Sequence, residues 1–378
     1  MKLPLYLDYA ATTPVDPRVI EVMMPYLAAV GNPASHTHSY GKMAKHAVES
    51  AREYIADLIH ADADEIILTS GATESINLGL KGAAQLYQLK GRHIITMKTE
   101  HKAVLDTCQQ LEKNGYSVTY LSPEANGLLD EEKFKNALRE DTILVAIMHV
   151  NNETGVIQNI RALANITAER DILFFVDAAQ SNGKIALDVT QIPVDLVALS
   201  AHKIYGPKGV GALYLRRKPR VRVAAQIHGG GQEQGMRSGT LPTHQIVGMG
   251  EAFRIAALEL ETDFKKIHSL RKRFLTKISI LNNITINGDV TSAYPGILSM
   301  CFAGIKSNKF IDMFPDLAVS AGSACESKGS EPSYVLRAMG VFSEQAETAI
   351  RFSFGRFTTE NEMDFAADSI CSHVGRLD

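Results

Sequence analysis

A succession of short apolar runs, each closed by a polar cluster, constrains this chain more than any other feature. Residues 142–150 (TILVAIMHV) and 172–176 (ILFFV) are apolar almost without a break, and 194–199 run the same way into Ser200-Ala201-His202-Lys203. Residues 65–69, 93–97 and 117–121 are shorter runs of β-forming character. Between runs the spacing turns helical: residues 43–59 place Ala47, Val48, Ala51, Tyr54, Ile55, Leu58 and Ile59 on one face. Strands apolar on both faces and separated by helices predict an α/β chain whose parallel sheet is covered on both sides. Ligands bind such a sheet beyond the carboxyl ends of its strands. The polar clusters fall there: Ser70-Gly71-Ala72-Thr73-Glu74, Thr99-Glu100-His101-Lys102, Asn151-Asn152-Glu153-Thr154, Asp177-Ala178-Ala179-Gln180 and Ser200-Ala201-His202-Lys203.

Beyond residue 243 the texture changes. Residues 244–282 are helical in period, and shorter, less regular strands follow at 284–287, 298–302 and 350–354. The change near residues 250–260 predicts a second, smaller α+β domain, packed closely because no Pro/Ser-rich linker intervenes. A chain of 378 residues can bury a large core. Its 39 basic and 42 acidic residues leave a net charge of -3, which argues against blanketing nucleic acid or an acidic membrane. Only 4 cysteines occur and none form CxxC, so a disulfide scaffold is not expected and a reducing, cytoplasmic setting is. Asp8 interrupts the N-terminus before any signal-peptide core, and no apolar run has the ~18 residues a membrane span needs.

The phosphate loop GK[ST], HExxH and GxSxG are all missing, and the glycines at 229–231 do not form GxGxxG. Nucleotide hydrolysis, zinc peptidase and dinucleotide chemistry lose ground, and no metal site is expected. The residues that remain suit another chemistry. Ser70-Gly71-Ala72-Thr73 reads as an anion cradle at a helix start or as a plain N-cap. Asp177, closing an apolar strand, fits a protonated pyridine nitrogen or a local turn cap. Lys203 can form a Schiff base with an aldehyde cofactor, and with Asp177 upstream it suits pyridoxal phosphate. His101 can stack on a flat ring and move protons, or serve as a cap. Arg351, between Ile350 and Phe352, suits a substrate carboxylate or a structural ion pair. Cys325, in SAGSACESKGS, is expected on an exposed, mobile loop where a travelling nucleophile would sit, whereas Cys108, Cys301 and Cys371 read as core or incidental. The basic stretch Arg216, Arg217, Lys218, Arg220 and Arg222 reads as a solvated edge strand guarded by charge rather than a nucleic-acid contact.

Taken together, YLDYAATTPVDPRV, GNPAS, SGATES, TEHKAVLDTC, HVNNETGVIQ, DAAQSNGK, SAHKIYGPKGVGALY, HGGGQEQGMRSGTLPTHQIVGMGEA and SAGSACESKGSEPSYVLRAMG resemble the NifS/IscS type of cysteine desulfurase, within the class V aminotransferase family. The resemblance runs from residue 4 to about residue 377. It implies a fold-type I pyridoxal 5'-phosphate enzyme, a homodimer with a mostly parallel seven-stranded sheet flanked by helices. It further implies a large domain over residues 16–255. A small domain, residues 1–15 and 256–378, would carry the cysteine loop at 320–332. By motif, Lys203 would be the Schiff-base lysine, His101 the ring-stacking acid/base and Asp177 the partner of the pyridine nitrogen. Gln180 would touch the ring hydroxyl. Ala72, Thr73, Ser200 and His202 would hold the phosphate, joined by Thr240 of a second subunit. Asn152 and Arg351 would position the carboxylate of L-cysteine, and Cys325 would accept its sulfur.

Ala201 and Glu326 stand where such relatives often have Gly and Thr, away from the core chemistry. The chain ends at Asp378, short of the extension with which housekeeping relatives dock an iron–sulfur scaffold, so a different sulfur-acceptor protein is the expectation. The competing readings are a selenocysteine lyase or aminotransferase of the same fold, for which the Cys325 loop has no use. A partner-binding relative without catalysis is a third, against which Lys203, His101, Asp177 and Cys325 speak.

Overall fold

The computed structural model describes residues 3–322 and 332–374. The chain opens with β1 (Leu5–Tyr6), α1 (Pro17–Ala28) and α2 (Ser39–Asp57), then alternates through β2 (Ile66–Thr69), α3 (Ala72–Tyr87), β3 (His93–Met97), α4 (Lys102–Lys113), β4 (Ser117–Leu121), α5 (Glu131–Ala137), β5 (Thr142–Met148), α6 (Ile160–Ala168) and β6 (Leu173–Asp177). β7 (Leu196–Ser200) and β8 (Gly211–Leu215) complete a seven-stranded sheet of order β2-β8-β7-β6-β5-β3-β4. Next come α7 (Thr243–Ile278), β9 (Ile284–Asn287), β10 (Ile297–Phe302), α8 (Ser307–Met313) and β11 (Leu317–Ala318). The last elements are α9 (Tyr334–Ala338), α10 (Ser343–Ala346), β12 (Ala349–Ser353) and α11 (Glu360–Val374).

The sheet is mostly parallel, as its apolar runs require. β3 to β7 pair in parallel, while β8 lies antiparallel to both β2 and β7. β2 therefore points the same way as β7, and six carboxyl ends share one edge. Successive residues of each strand serve opposite faces. In β5, Leu144 and Ala146 join the core under α3 and α4, whereas Val145 and Ile147 join the core shared with α2, α6 and α7. Burial on both sides is why these runs do not alternate with polar residues.

Three features depart from the sequence expectation. No helix connects β6 to β7; residues 178–195 cross in turns. The short run of β8 carries no sign of its reversed direction, which its two partners decide. The basic stretch is not an edge strand: it follows β8, which lies inside the sheet, and the edges are β2 and β4. Arg216 leaves β8 and pairs with Asp195, and Arg217 pairs with Asp64 at 2.6 Å.

A second core collects Leu7, the inner faces of β10 and β12, the later half of α7 and α11. α7 is unbroken for 36 residues, about 54 Å. It gives Ile255 and Ala256 to the first core and Ile267 and Leu270 to the second, so the expected division at 255/256 falls inside one helix. Among the described residues no helix is long and apolar enough to cross a membrane.

Candidate active site

The shared carboxyl edge opens into a cavity of about 500 Å³, walled by strand ends and closed by Ala10, Ala11 and Thr12 of the N-terminal segment. β2 ends at Thr69, and Gly71 turns the chain into α3 with φ of +147°, a conformation that favours glycine. Gly71 offers no side chain to cap α3. The first N–H groups of that helix thus stay available to an anion beside Ala72 and Thr73. β6 delivers Asp177, and β7 delivers Ser200 followed by the short turn Ala201–Lys203. His101 caps α4, its Nδ1 accepting the Ala103 amide at 3.1 Å. Because a backbone N–H only donates, the neutral ring carries its proton on Nε2.

Ten residues singled out from the sequence line this cavity: Ala72, Thr73, His101, Asn152, Asp177, Gln180, Ser200, His202, Lys203 and Arg351. Thr240 does not line it and is exposed ahead of α7. Cys325 lies outside the described residues. Cys108 and Cys301 are buried, and Cys371 is half-buried.

The electrostatics suit a dry, charge-bearing ligand. Burial raises the Asp177 carboxyl above its ordinary range, opposed by His101, the Ala179 amide and Lys203. Its Oδ1 accepts that amide at 2.9 Å. Burial lowers His101, helped by Lys203 and opposed by Asp177. His202 falls to about 4, through burial first and then the charges of Lys203, Lys208 and Lys184. Both imidazoles are thus neutral at neutral pH. Lys203 Nζ donates to the carbonyls of Ala10 and Ala11 at 2.5 and 2.8 Å. Arg351, its side chain 2% exposed, donates to Asp8 Oδ1 at 2.7 Å and to the Asn152 carbonyl at 2.8 Å. The ion-pair reading of Arg351 is met, and the same side chain also lines the cavity.

Among the described residues Ser200 Oγ, Asn152 Oδ1 and Arg351 Nε are buried without a hydrogen-bond partner. Buried polar atoms are seldom left so. A phosphate near Ser200 and the start of α3, and a carboxylate and amine near Asn152 and Arg351, would supply what these groups lack. The residues present fit pyridoxal phosphate and an amino acid.

Sequence reasoning missed three contributors. Asp8 fixes Arg351, the Ala10 and Ala11 carbonyls hold Lys203, and Lys184 reaches Gln180 at 3.2 Å. The polar motifs YLDYAATT and DAAQSNGK were the available signals, yet neither states which distant group it meets.

Comparison with known proteins places these observations. The profile "Aminotransferase class-V" matches residues 5–365. The cysteine desulfurase IscS of Vibrio vulnificus (strain YJ016) is 58% identical over 380 aligned positions, covering 100% of this chain and 94% of the relative. A solved structure described as "NIFS-LIKE PROTEIN" superposes with a TM-score of 0.92 at 36% identity, covering 99% of this chain and 100% of the other. Another, described as "SspA in complex with cysteine", gives 0.83 at 38% identity over 94% of this chain and 99% of the other. The strand-end cavity, the α/β fold and the full-length likeness agree: the chain belongs to the class-V aminotransferase family and, within it, to the cysteine desulfurases.

Proposed function

We propose that the cavity holds pyridoxal 5'-phosphate and L-cysteine, and that the chain converts cysteine to alanine while moving its sulfur onto Cys325. The carrying observation is the meeting of Lys203, Asp177, His101 and the uncapped start of α3 at one sheet edge. When bound, the cofactor supplies an electron sink conjugated to the amino acid.

The chain's own groups supply the rest. Lys203 would hold the cofactor's aldehyde carbon, drawn toward the carbonyls of Ala10 and Ala11 until then. The amides of α3, Thr73, Ser200 and His202 would take the phosphate. Neutral His202 would serve there as a hydrogen-bond donor rather than a cation. Asp177 would hold a proton on the ring nitrogen; the gain of that cation would offset the burial that raises its pKa. Gln180 would donate to the ring hydroxyl. His101 would lie against the ring and move a proton through Nε2. Asn152 and Arg351 would orient the substrate carboxylate.

The Cys325 thiolate would attack the substrate sulfur. One C–S bond breaks and one S–S bond forms, so cysteine plus Cys325-SH gives alanine plus Cys325-S-SH. The persulfide would pass to an acceptor protein serving iron–sulfur assembly, tRNA thiolation or DNA phosphorothioation. Two copies would associate so that Thr240, exposed in the single chain, reaches the phosphate site of the other. The free thiols of Cys108, Cys301 and Cys371 suit a reducing cytoplasm.

Lys203→Ala tests this reading. Alanine formation from cysteine is expected to fall by roughly 10³-fold or more, the scale felt when a covalent catalytic group is lost. Near-normal turnover in the pure variant would overturn the assignment.

A further inference from the structure

Gln180 and Lys184 stand four positions apart in the turn that follows β6, a spacing that brings side chains together where the backbone coils helically. It does so here: the amides of Ser181 and Asn182 donate to the Ala178 carbonyl at 3.0 and 2.8 Å, and those of Lys184 and Ile185 to the Ser181 carbonyl at 3.0 Å. The result is a short chain of polar contacts. Lys184 Nζ donates to Gln180 Oε1 at 3.2 Å, Gln180 Nε2 donates to the Ala10 carbonyl at 2.8 Å, and that carbonyl also accepts Lys203 Nζ.

Two partners decide which way the Gln180 amide points: the Ala10 carbonyl, which only accepts, and Lys184, which only donates while it is protonated. Rotating the amide by half a turn would set its oxygen against the Ala10 carbonyl, losing that bond in any state, and its NH₂ against Lys184, losing the second bond as well while the amine is protonated. In the observed orientation one N–H of Nε2 is used on Ala10, leaving the other for the cavity that Gln180 lines. Lys184 itself packs over the ring of buried Tyr294, 5.6 Å from its centroid, and has no acidic partner within salt-bridge distance among the described residues. The other cations that act on it are Lys203 and Arg351, and burial with their charge pulls its amine down to about 7.

We propose that Lys184 is a positioning residue that acts through Gln180, locking the amide so that it presents an N–H, and not its oxygen, to the cofactor's ring oxygen. The inference rests on the reading that the cavity holds pyridoxal phosphate. It gives a function to a lysine that touches neither the phosphate site nor the substrate carboxylate site. An N–H donor at that place favours the ionised ring oxygen.

The test uses the loaded protein and reads the pH dependence of its visible absorbance rather than its turnover. Lys184→Met keeps the length and apolar packing against Tyr294 and removes the donor. Because burial already disfavours the charge at this site, the variant is expected to fold; Lys184→Ala is read in the same way should it not. The apparent pKa of the visible transition is expected to rise by roughly 1 pH unit in Lys184→Met, the size of one hydrogen bond to an ionised oxygen. Lys184→Arg, which keeps a donor and a cation, is expected to restore most of it. In a Gln180→Ala background the Lys184→Met change is expected to add nothing, because the two act as one unit. An unchanged transition in Lys184→Met, or a full additional shift on top of Gln180→Ala, would overturn the proposal. Absence of any visible band in the wild-type chain supplied with the cofactor would instead overturn the cavity reading on which it stands.

Discussion

At the scale of single residues, the site was legible where chemistry and strand ends coincide. Asp177 closes an apolar run, Arg351 interrupts one, and His101 and Lys203 follow the ends of two others within four residues. A polar group brought to such a strand end must be satisfied by something. The structure brings all four to one cavity. What the sequence did not disclose are the partners: Asp8 meets Arg351 from 343 positions away, and Gln180 meets the Ala10 carbonyl from 170. Such contacts are products of the fold and leave no local spacing to read. His149 shows the energetic side of the same rule. It is buried with Nδ1 unpartnered, and burial lowers its pKa from 6.5 to about 4. Between these values the unfolded chain binds a proton that the folded chain refuses. Its effect on stability is therefore absent above about pH 6.5 and grows as the pH falls toward 4, reaching roughly 3 kcal/mol of destabilisation. His149→Gln is expected to flatten this acid limb relative to the wild type in urea unfolding at pH 6.5 and pH 4.5. Parallel limbs for the two proteins would show that His149 is not held neutral by the fold.

At the scale of elements, periodicity located most strands to within a residue or two, and it placed α2 and α7 with one end of each off by four residues, because burial on one face or two imposes it. Direction and connection escaped it. The GALYL run of β8 would read the same in either sense, and only pairing with β2 and β7 reverses it. That placement is also why the following basic residues border a loop and not a sheet edge. α7 was visible as a long helical period, but not that one helix would serve two cores. Its crossing with α2 depends on a glycine. A Cβ built on Gly250 would lie 2.6 Å from both the Cα and the Cβ of Ala51. Alanine would improve helix propensity by about 1 kcal/mol, yet the contact is with backbone and cannot rotate away. Overpacking costs typically about 1–3 kcal/mol, so the clash is expected to win. Gly250→Ala should lower the urea midpoint, with a net loss of up to about 2 kcal/mol; a raised midpoint would show that the helices separate without cost.

At the scale of the whole molecule, the start and the end of the chain close over the sheet edge together. β1 pairs with β11, the Ser353 amide donates to the Leu7 carbonyl at 2.7 Å, and Arg351 holds Asp8. The Arg351 end of the cavity is thus built by the second core and the Lys203 end by the first. The fold class and the family were accessible from sequence because long motifs each serve one strand end. The closure was not, since it joins segments that share no motif. The central claim is that this cavity takes the sulfur from cysteine and delivers it to Cys325. The most direct measurement is the mass of the cofactor-loaded wild-type chain, and of its alkylated peptides, after one brief exposure to excess L-cysteine, with alanine counted in the same sample. The account predicts about one alanine per chain and one added sulfur atom, carried by the Cys325 peptide. Alanine without added sulfur on Cys325, or the added sulfur found on Cys108, Cys301 or Cys371 instead, would contradict it.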